Sequence, residues 1–191
     1  MCSSDLVPAF VKELEGRSGV SARCLEFVIL TAARTGEAIG ARWDEFDLEA
    51  GVWTVPAERM KGREDHTVAL VPRALQILRA MRAVGSPWVF PSPTDATRPL
   101  SNMGMLILLQ RMNRPDITVH GFRASFSTWA NETDAARPDV IEACLAHKEG
   151  DRIRAAYDRA KFKVDRQQLL LEWERFVSGA NLISMPASRA A

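Results

Sequence analysis

Apolar residues return every third or fourth position through much of this chain, and each such run predicts a helix. Leu25, Val28, Ile29 and Ala32 place one over Ser21 to Arg34, with Gly36 as its stop, and a short helical stretch is expected over Glu37 to Trp43. Pro72 opens another that runs through Met81, carried by Leu75, Leu78 and Met81. Ser101 is the expected N-cap of an apolar helix reaching Met112. Further helices are expected over His120 to Asn131, Pro138 to Ala146, a segment holding Tyr157, and Lys163 to Val177. The period changes once. Val52–Val55, Glu58–Lys61 and Thr67–Val71 alternate or carry β-branched residues, and the GRED sequence between the last two predicts a hairpin turn. Gly85 to Pro99 holds four prolines and reads as a connecting loop with a short strand at Trp88–Phe90.

The expected fold is mainly α with a small antiparallel β-sheet or hairpin inserted early. Residues 21–178 form the expected domain, with 1–20 as an N-terminal remnant or linker and 179–191 as a flexible tail. A chain of 191 residues buries a substantial core. Its apolar runs fall far short of the roughly 20 residues that a membrane span needs. The opening MCSSDLVPAF lacks a basic region followed by an apolar one, so no secretory signal is read and a cytoplasmic protein is expected. Cys2, Cys24 and Cys144 are scattered without metal-type spacing and are expected to be reduced thiols, the last two in the core.

A net charge of +1 speaks weakly against a nucleic-acid partner, but the distribution is uneven. Between Lys148 and Arg166 stand seven basic residues against four acidic ones, a local excess of three around Tyr157. Of the 25 basic residues 20 are arginine, the better forked partner for phosphate. A solvated helix surface explains such a run equally well in isolation.

The candidate chemistry is more selective. Tyr157 is the only tyrosine, and it follows His147 in LAHKEGDRIRAAYDR. Upstream stand His120 and Arg123 in HGFR, Lys61 in RMKGRED, and Arg34 in AARTGEAIG. Cutting a phosphodiester without metal needs a phenol to attack phosphorus, cations on the phosphate oxygens, and groups that move protons. His120 and Arg123, three apart, project from one side of a helix whose apolar stripe is Phe122, Phe126, Trp129 and Ala130. Glu37 stands three residues after Arg34, placed to hold its guanidinium by a bidentate pair. Lys61 adjoins the hairpin turn, where a lysine is ordinarily solvated. Tyr157 shares a helical face with Ile153, Ala156 and Ala160, which a core tyrosine would also satisfy.

Taken in order, TAARTGEAIGARW, RMKGREDHTVAL, HGFR and LAHKEGDRIRAAYDR resemble the catalytic domain of the tyrosine recombinase (phage integrase) family, as found in prophages and genomic islands. The resemblance runs from about residue 20 to 178. It implies the fold of DNA breaking-rejoining enzymes and site-specific recombination through a 3′-phosphotyrosyl intermediate, independent of metal, ATP and cofactor. Tyr157 is then the nucleophile. Arg34, Arg123 and His147 hold the phosphate, Glu37 supports them, His120 takes the phenol proton, and Lys61 protonates the departing 5′-hydroxyl. The implied partners are double-stranded DNA at attachment sites, other protomers of a DNA-bound tetramer, and accessory DNA-bending proteins, with no membrane. Leu169, Leu170, Trp173, Phe176 and Val177 form the apolar face of the last helix, which either docks on a neighbouring protomer or packs on its own domain. The helical domain that such enzymes carry ahead of the catalytic one has no room in the first 20 residues and is expected to be absent.

Competing readings are a type IB topoisomerase, a truncated and inactive DNA-binding or assembly module, and a small helical interaction protein. Supercoil relaxation set against attachment-site recombination separates the first, and loss of affinity with rising salt speaks against the last.

Overall fold

A computed structural model describes residues 4–146 and 162–180. Its centre is α2 (Val20–Thr31), buried at nine of its twelve positions and touched by helices on several sides. A helix that is apolar nearly all round belongs in the middle of a bundle. α2 ends at Ala32 in the left-handed conformation (φ 49°), which turns the chain into α3 (Thr35–Ile39). Arg34 is therefore the N-cap of the next helix and not the last residue of the one before it.

Ahead of α2 lies α1 (Val7–Glu15), in the stretch expected to be a remnant or linker. Val7, Phe10, Val11 and Leu14 recur at helical spacing and are buried, and Phe10 meets Phe122 at 4.8 Å between ring centroids. The 1–20 boundary is thus corrected: α1 belongs to the same core as the helices that follow. It starts on a proline in its first turn without a capping side chain, so the sequence offers no cap signal for it.

The sheet is three-stranded and antiparallel in the order β1 (Phe46–Asp47), β2 (Val52–Val55), β3 (His66–Ala69). Trp53 lies opposite Val68 and Val55 opposite His66. Glu58–Lys61, expected to be a strand, makes a 3-10 turn over Ala57–Arg59, and the third strand is β1. Trp53 fixes the sheet to the bundle, stacking on Phe46 and meeting Phe27 at 5.3 Å.

α4 (Pro72–Arg82), α5 (Gly104–Arg111), α6 (Val119–Glu132) and α7 (Pro138–Cys144) complete the described bundle with the C-terminal helix Lys163–Val177. Ser101 accepts a bond from the Met103 N–H two residues on, so it caps a turn ahead of α5 rather than the helix itself. Trp88 forms an isolated bridge with Arg42 in place of the expected strand. Burial pushes the Cys144 thiol up to about 12 and raises that of Cys24 too, so both behave as core residues. None of the described helices is long and apolar enough to cross a membrane.

The C-terminal helix packs on its own chain. Leu169, Leu170, Trp173 and Val177 are buried, and the Trp173 indole N–H donates to the Ile29 carbonyl at 2.8 Å. Trp173 also meets Phe126 edge-on at 5.5 Å. Of the two readings of this face, packing on its own domain is the one these contacts fit. Trp173→Ala is expected to cost about 3–5 kcal/mol by leaving a cavity, read as a lower urea midpoint at unchanged slope. A midpoint within 0.5 kcal/mol of the parent's equivalent stability, roughly the surface-substitution range, would mean that this contact is not formed.

Candidate functional site

The turn after α2 and the start of α3 create the first half of the site. With the Arg34 backbone extended as N-cap, its N–H is left without a helical partner, and one Glu37 carboxylate oxygen accepts it at 2.8 Å. The other oxygen takes the Arg34 guanidinium at 2.7 Å. Glu37 thus divides its two oxygens between backbone and side chain, which corrects the expected bidentate pair. Glu37 is buried, and the Arg34 side chain is 30% exposed, so the guanidinium is held from behind and open in front.

α6 supplies the second half. Thr118 caps it by accepting the Gly121 N–H at 3.0 Å, and Phe122, Phe126 and Trp129 fix its inner face. Arg123 is buried, an arrangement that requires its guanidinium to find acceptors. It donates to the Ala32 carbonyl at 2.5 Å and to the Leu145 carbonyl. Burial, and then the charge of Arg34, lower its pKa to about 10, with Glu37 and Glu142 opposing them. It remains a cation at neutral pH.

Leu145 is where the two halves meet. Its carbonyl, just past α7, accepts from Arg123 and also from Arg34 Nη2 at 3.4 Å. Two guanidinium groups from elements far apart in sequence converge on one oxygen. Arg34, Glu37 and Arg123 are therefore brought together. His120 stands on the same side of α6 as Arg123 and is exposed. Lys61 is exposed on the loop between β2 and β3. His147 and Tyr157 lie outside the described residues.

Reading the sequence missed three residues around this cluster. Arg59 donates to the Glu37 carbonyl at 2.9 Å. Arg166, counted only as surface charge, is buried and donates to the Thr67 carbonyl at 3.0 Å and to the Thr67 hydroxyl at 3.1 Å. His66 begins β3 on the same face as buried Val68, a period-two signal that its HTVA sequence already carries.

His66 is kept neutral. Its burial first, and then the charge of Arg166, lower its pKa to about 4, with Glu37 pulling the other way and Arg123 and Arg34 adding to the depression. The unfolded chain takes up this proton near pH 6.5 and the folded one only near 4, so stability is full above about 6.5 and falls as pH drops through that window. The slope contributed is at most about 1.4 kcal/mol per pH unit. His66→Gln is expected to flatten it, measured by urea unfolding across that range; an unchanged slope would locate the proton uptake elsewhere.

Among the described residues no group of three or more His, Cys, Asp or Glu side chains is placed to hold a metal ion. Chemically, the arrangement is a buried guanidinium beside a partly exposed one, both fixed by hydrogen bonds, a setting that favours an anionic oxygen.

The profile of the phage integrase family matches residues 3–163. The chain is 37% identical over 182 residues to prophage integrase IntA of Escherichia coli (strain K12), an alignment covering 93% of the chain and 44% of that relative. It is 31% identical to the integrase of Shigella phage Sf6 over 176 residues, covering 89% of the chain and 45% of the relative. The chain thus spans less than half the length of these curated relatives. Among solved structures, the Tn1549 transposon integrase in complex with a circular intermediate DNA superposes with a TM-score of 0.57 at 14% identity, covering 80% of this chain and 63% of that one.

Proposed function

Because the chain belongs to the phage integrase family, we propose that it cleaves and rejoins DNA at attachment sites as a tyrosine site-specific recombinase. The observation that carries this reading is the convergence of Arg34 and Arg123 on the Leu145 carbonyl. Guanidinium groups that meet at one oxygen are spaced to hold two oxygens of a single phosphate, and their forked donors match its geometry.

In this mechanism the Tyr157 oxygen attacks the scissile phosphorus, giving up its proton to His120. Arg34, Arg123 and His147 neutralise the charge that develops on the non-bridging oxygens. Glu37 keeps the Arg34 fork aimed. As the bond from phosphorus to the 5′-oxygen breaks, Lys61 delivers a proton to that oxygen and a free 5′-hydroxyl departs. The 3′-phosphotyrosine conserves the bond energy, and a second 5′-hydroxyl reverses the steps to rejoin strands. No metal or ATP enters this scheme.

The proposed partners are duplex DNA, further protomers of a DNA-bound tetramer, and accessory proteins that bend the DNA. We assign the domain to the span from α1 through the C-terminal helix, acting in the cytoplasm. The test is incubation with nicked attachment-site duplexes, followed by denaturing electrophoresis. A protein–DNA conjugate that survives denaturation and forms in the presence of a chelator is expected. Absence of conjugate across such duplexes, with DNA bound, would leave a binding module instead.

A further inference from the structure

Lys61 stands on a loop that the sheet does not hold. The ladder between β2 and β3 ends at the pair Val55 and His66, and residues 56–65 project beyond it. Within the loop, the Asp65 carboxylate accepts the Ala57 N–H at 2.9 Å and closes the neck. Met60 is buried beneath it, and Arg63 N–H donates to the Met60 carbonyl at 3.0 Å. Met60 thus anchors the loop in the core, and the other two contacts shape it from within.

Arg59 adds a connection to Glu37. Two residues before Lys61, its side chain leaves the loop and forks. Nη1 donates to the Glu37 carbonyl at 2.9 Å, and Nη2 donates to Glu45 at 2.5 Å. The same Glu45 oxygen accepts the Trp53 indole N–H at 2.9 Å, and the Glu45 side chain is only 7% exposed. Glu37 is in turn the residue whose carboxylate holds Arg34. Gly40 keeps the route open: a Cβ there would lie 2.7 Å from Arg59 Nη1. A single guanidinium thus joins the Lys61 loop to the residue that aims Arg34.

We propose that Arg59 is a positioning residue for Lys61, setting the distance between its ammonium and the phosphate held by Arg34. This rests on the reading of Lys61 as the group that protonates the 5′-oxygen. Proton delivery needs donor and acceptor within hydrogen-bond reach, and an error of one ångström costs roughly 10²-fold in rate. Tying the loop to Glu37 as well as to the core sets that distance before DNA arrives.

The experiment uses the nicked duplex that gives conjugate with the parent chain, in two forms. One carries the natural oxygen at the scissile 5′ position and the other a bridging sulfur. A 5′-thiolate leaves without a proton, so the sulfur form no longer needs Lys61. Lys61→Ala is the reference: slow on oxygen and restored on sulfur. Arg59→Lys preserves the charge beside Glu45, but an ammonium cannot span both acceptors. Gly40→Ala presses on Nη1 at the Glu37 side. Both are expected to be roughly 10–100-fold slower on oxygen and within about three-fold of the parent on sulfur.

Equal losses on the two substrates, with Lys61→Ala restored, overturn the proposal and place Arg59 in the fold or the phosphate clamp. Failure of sulfur to restore Lys61→Ala overturns the reading of Lys61 itself, and the proposal with it. Hydrogen exchange supplies an arm independent of DNA. In Arg59→Lys the amides of residues 57–63 are expected to exchange faster while α2 is unchanged; loop exchange equal to the parent's rules out the brace.

Discussion

Replacing Arg123 by methionine is expected to lower covalent adduct formation by at least about 10²–10³-fold while the chain stays folded at 25 °C. Two effects compete in that variant. The Ala32 and Leu145 carbonyls lose their charged donor, and an unmet buried carbonyl costs about 1–3 kcal/mol. Against that, burial of the guanidinium is itself unfavourable, as the depression of its pKa to about 10 records, and methionine relieves it. The net stability loss is therefore on the order of 1–3 kcal/mol, less than the 5–15 kcal/mol that a domain of this kind usually holds. For a chain of this size the melting temperature should fall by roughly 2–4 °C for each kcal/mol. Catalysis has no such offset, because the cation beside Arg34 is gone. A thermal melt together with adduct yield on nicked duplex separates the two effects. Adduct at the parent's rate in a folded variant would remove Arg123 from the phosphate site.

Much of this arrangement was legible because it is local. The apolar stripes of α2, α4, α6 and the C-terminal helix follow directly from 3.6-residue spacing, and Arg34 with Glu37, three apart, needs only one turn of chain to meet. What the sequence did not show is tertiary. Arg166 sits in a run of mixed charge that reads as a solvated surface, and its burial depends on Thr67, 99 positions away. Arg59 interrupts what looks like a strand because its side chain is drawn to Glu37 and Glu45 across the sheet edge. Leu145 carries no signal at all, since its part is played by a backbone carbonyl. α1 was missed for a different reason. Its stripe of Val7, Phe10, Val11 and Leu14 has helical spacing, but no capping side chain marks the start of the helix.

Similarity to the integrase relatives covers nearly the whole chain, so the family is secure independently of any one residue. The residue roles are not carried that way. They depend on whether the cluster at Leu145 receives a phosphate, which makes the nucleophile the sharpest point at which to press the mechanism.

Tyr157→Phe is expected to bind duplex DNA with the parent's affinity and to form no covalent adduct. The substitution removes one oxygen and keeps the ring. Affinity comes from phosphate contacts and falls with salt according to how many cations engage, and phenylalanine alters none of Arg34, Arg123 or Lys61. No second phenol is available, because Tyr157 is the only tyrosine in the sequence, and neither cysteine among the described residues offers an ionised thiol at neutral pH. Equal salt slopes for parent and variant, with conjugate seen only in the parent, is the expected pair of results. Conjugate persisting in Tyr157→Phe would assign the attack to another group. A variant that also loses DNA affinity would show that the tyrosine serves the fold or the interface, and the two guanidinium groups would then need a different anion to explain their convergence.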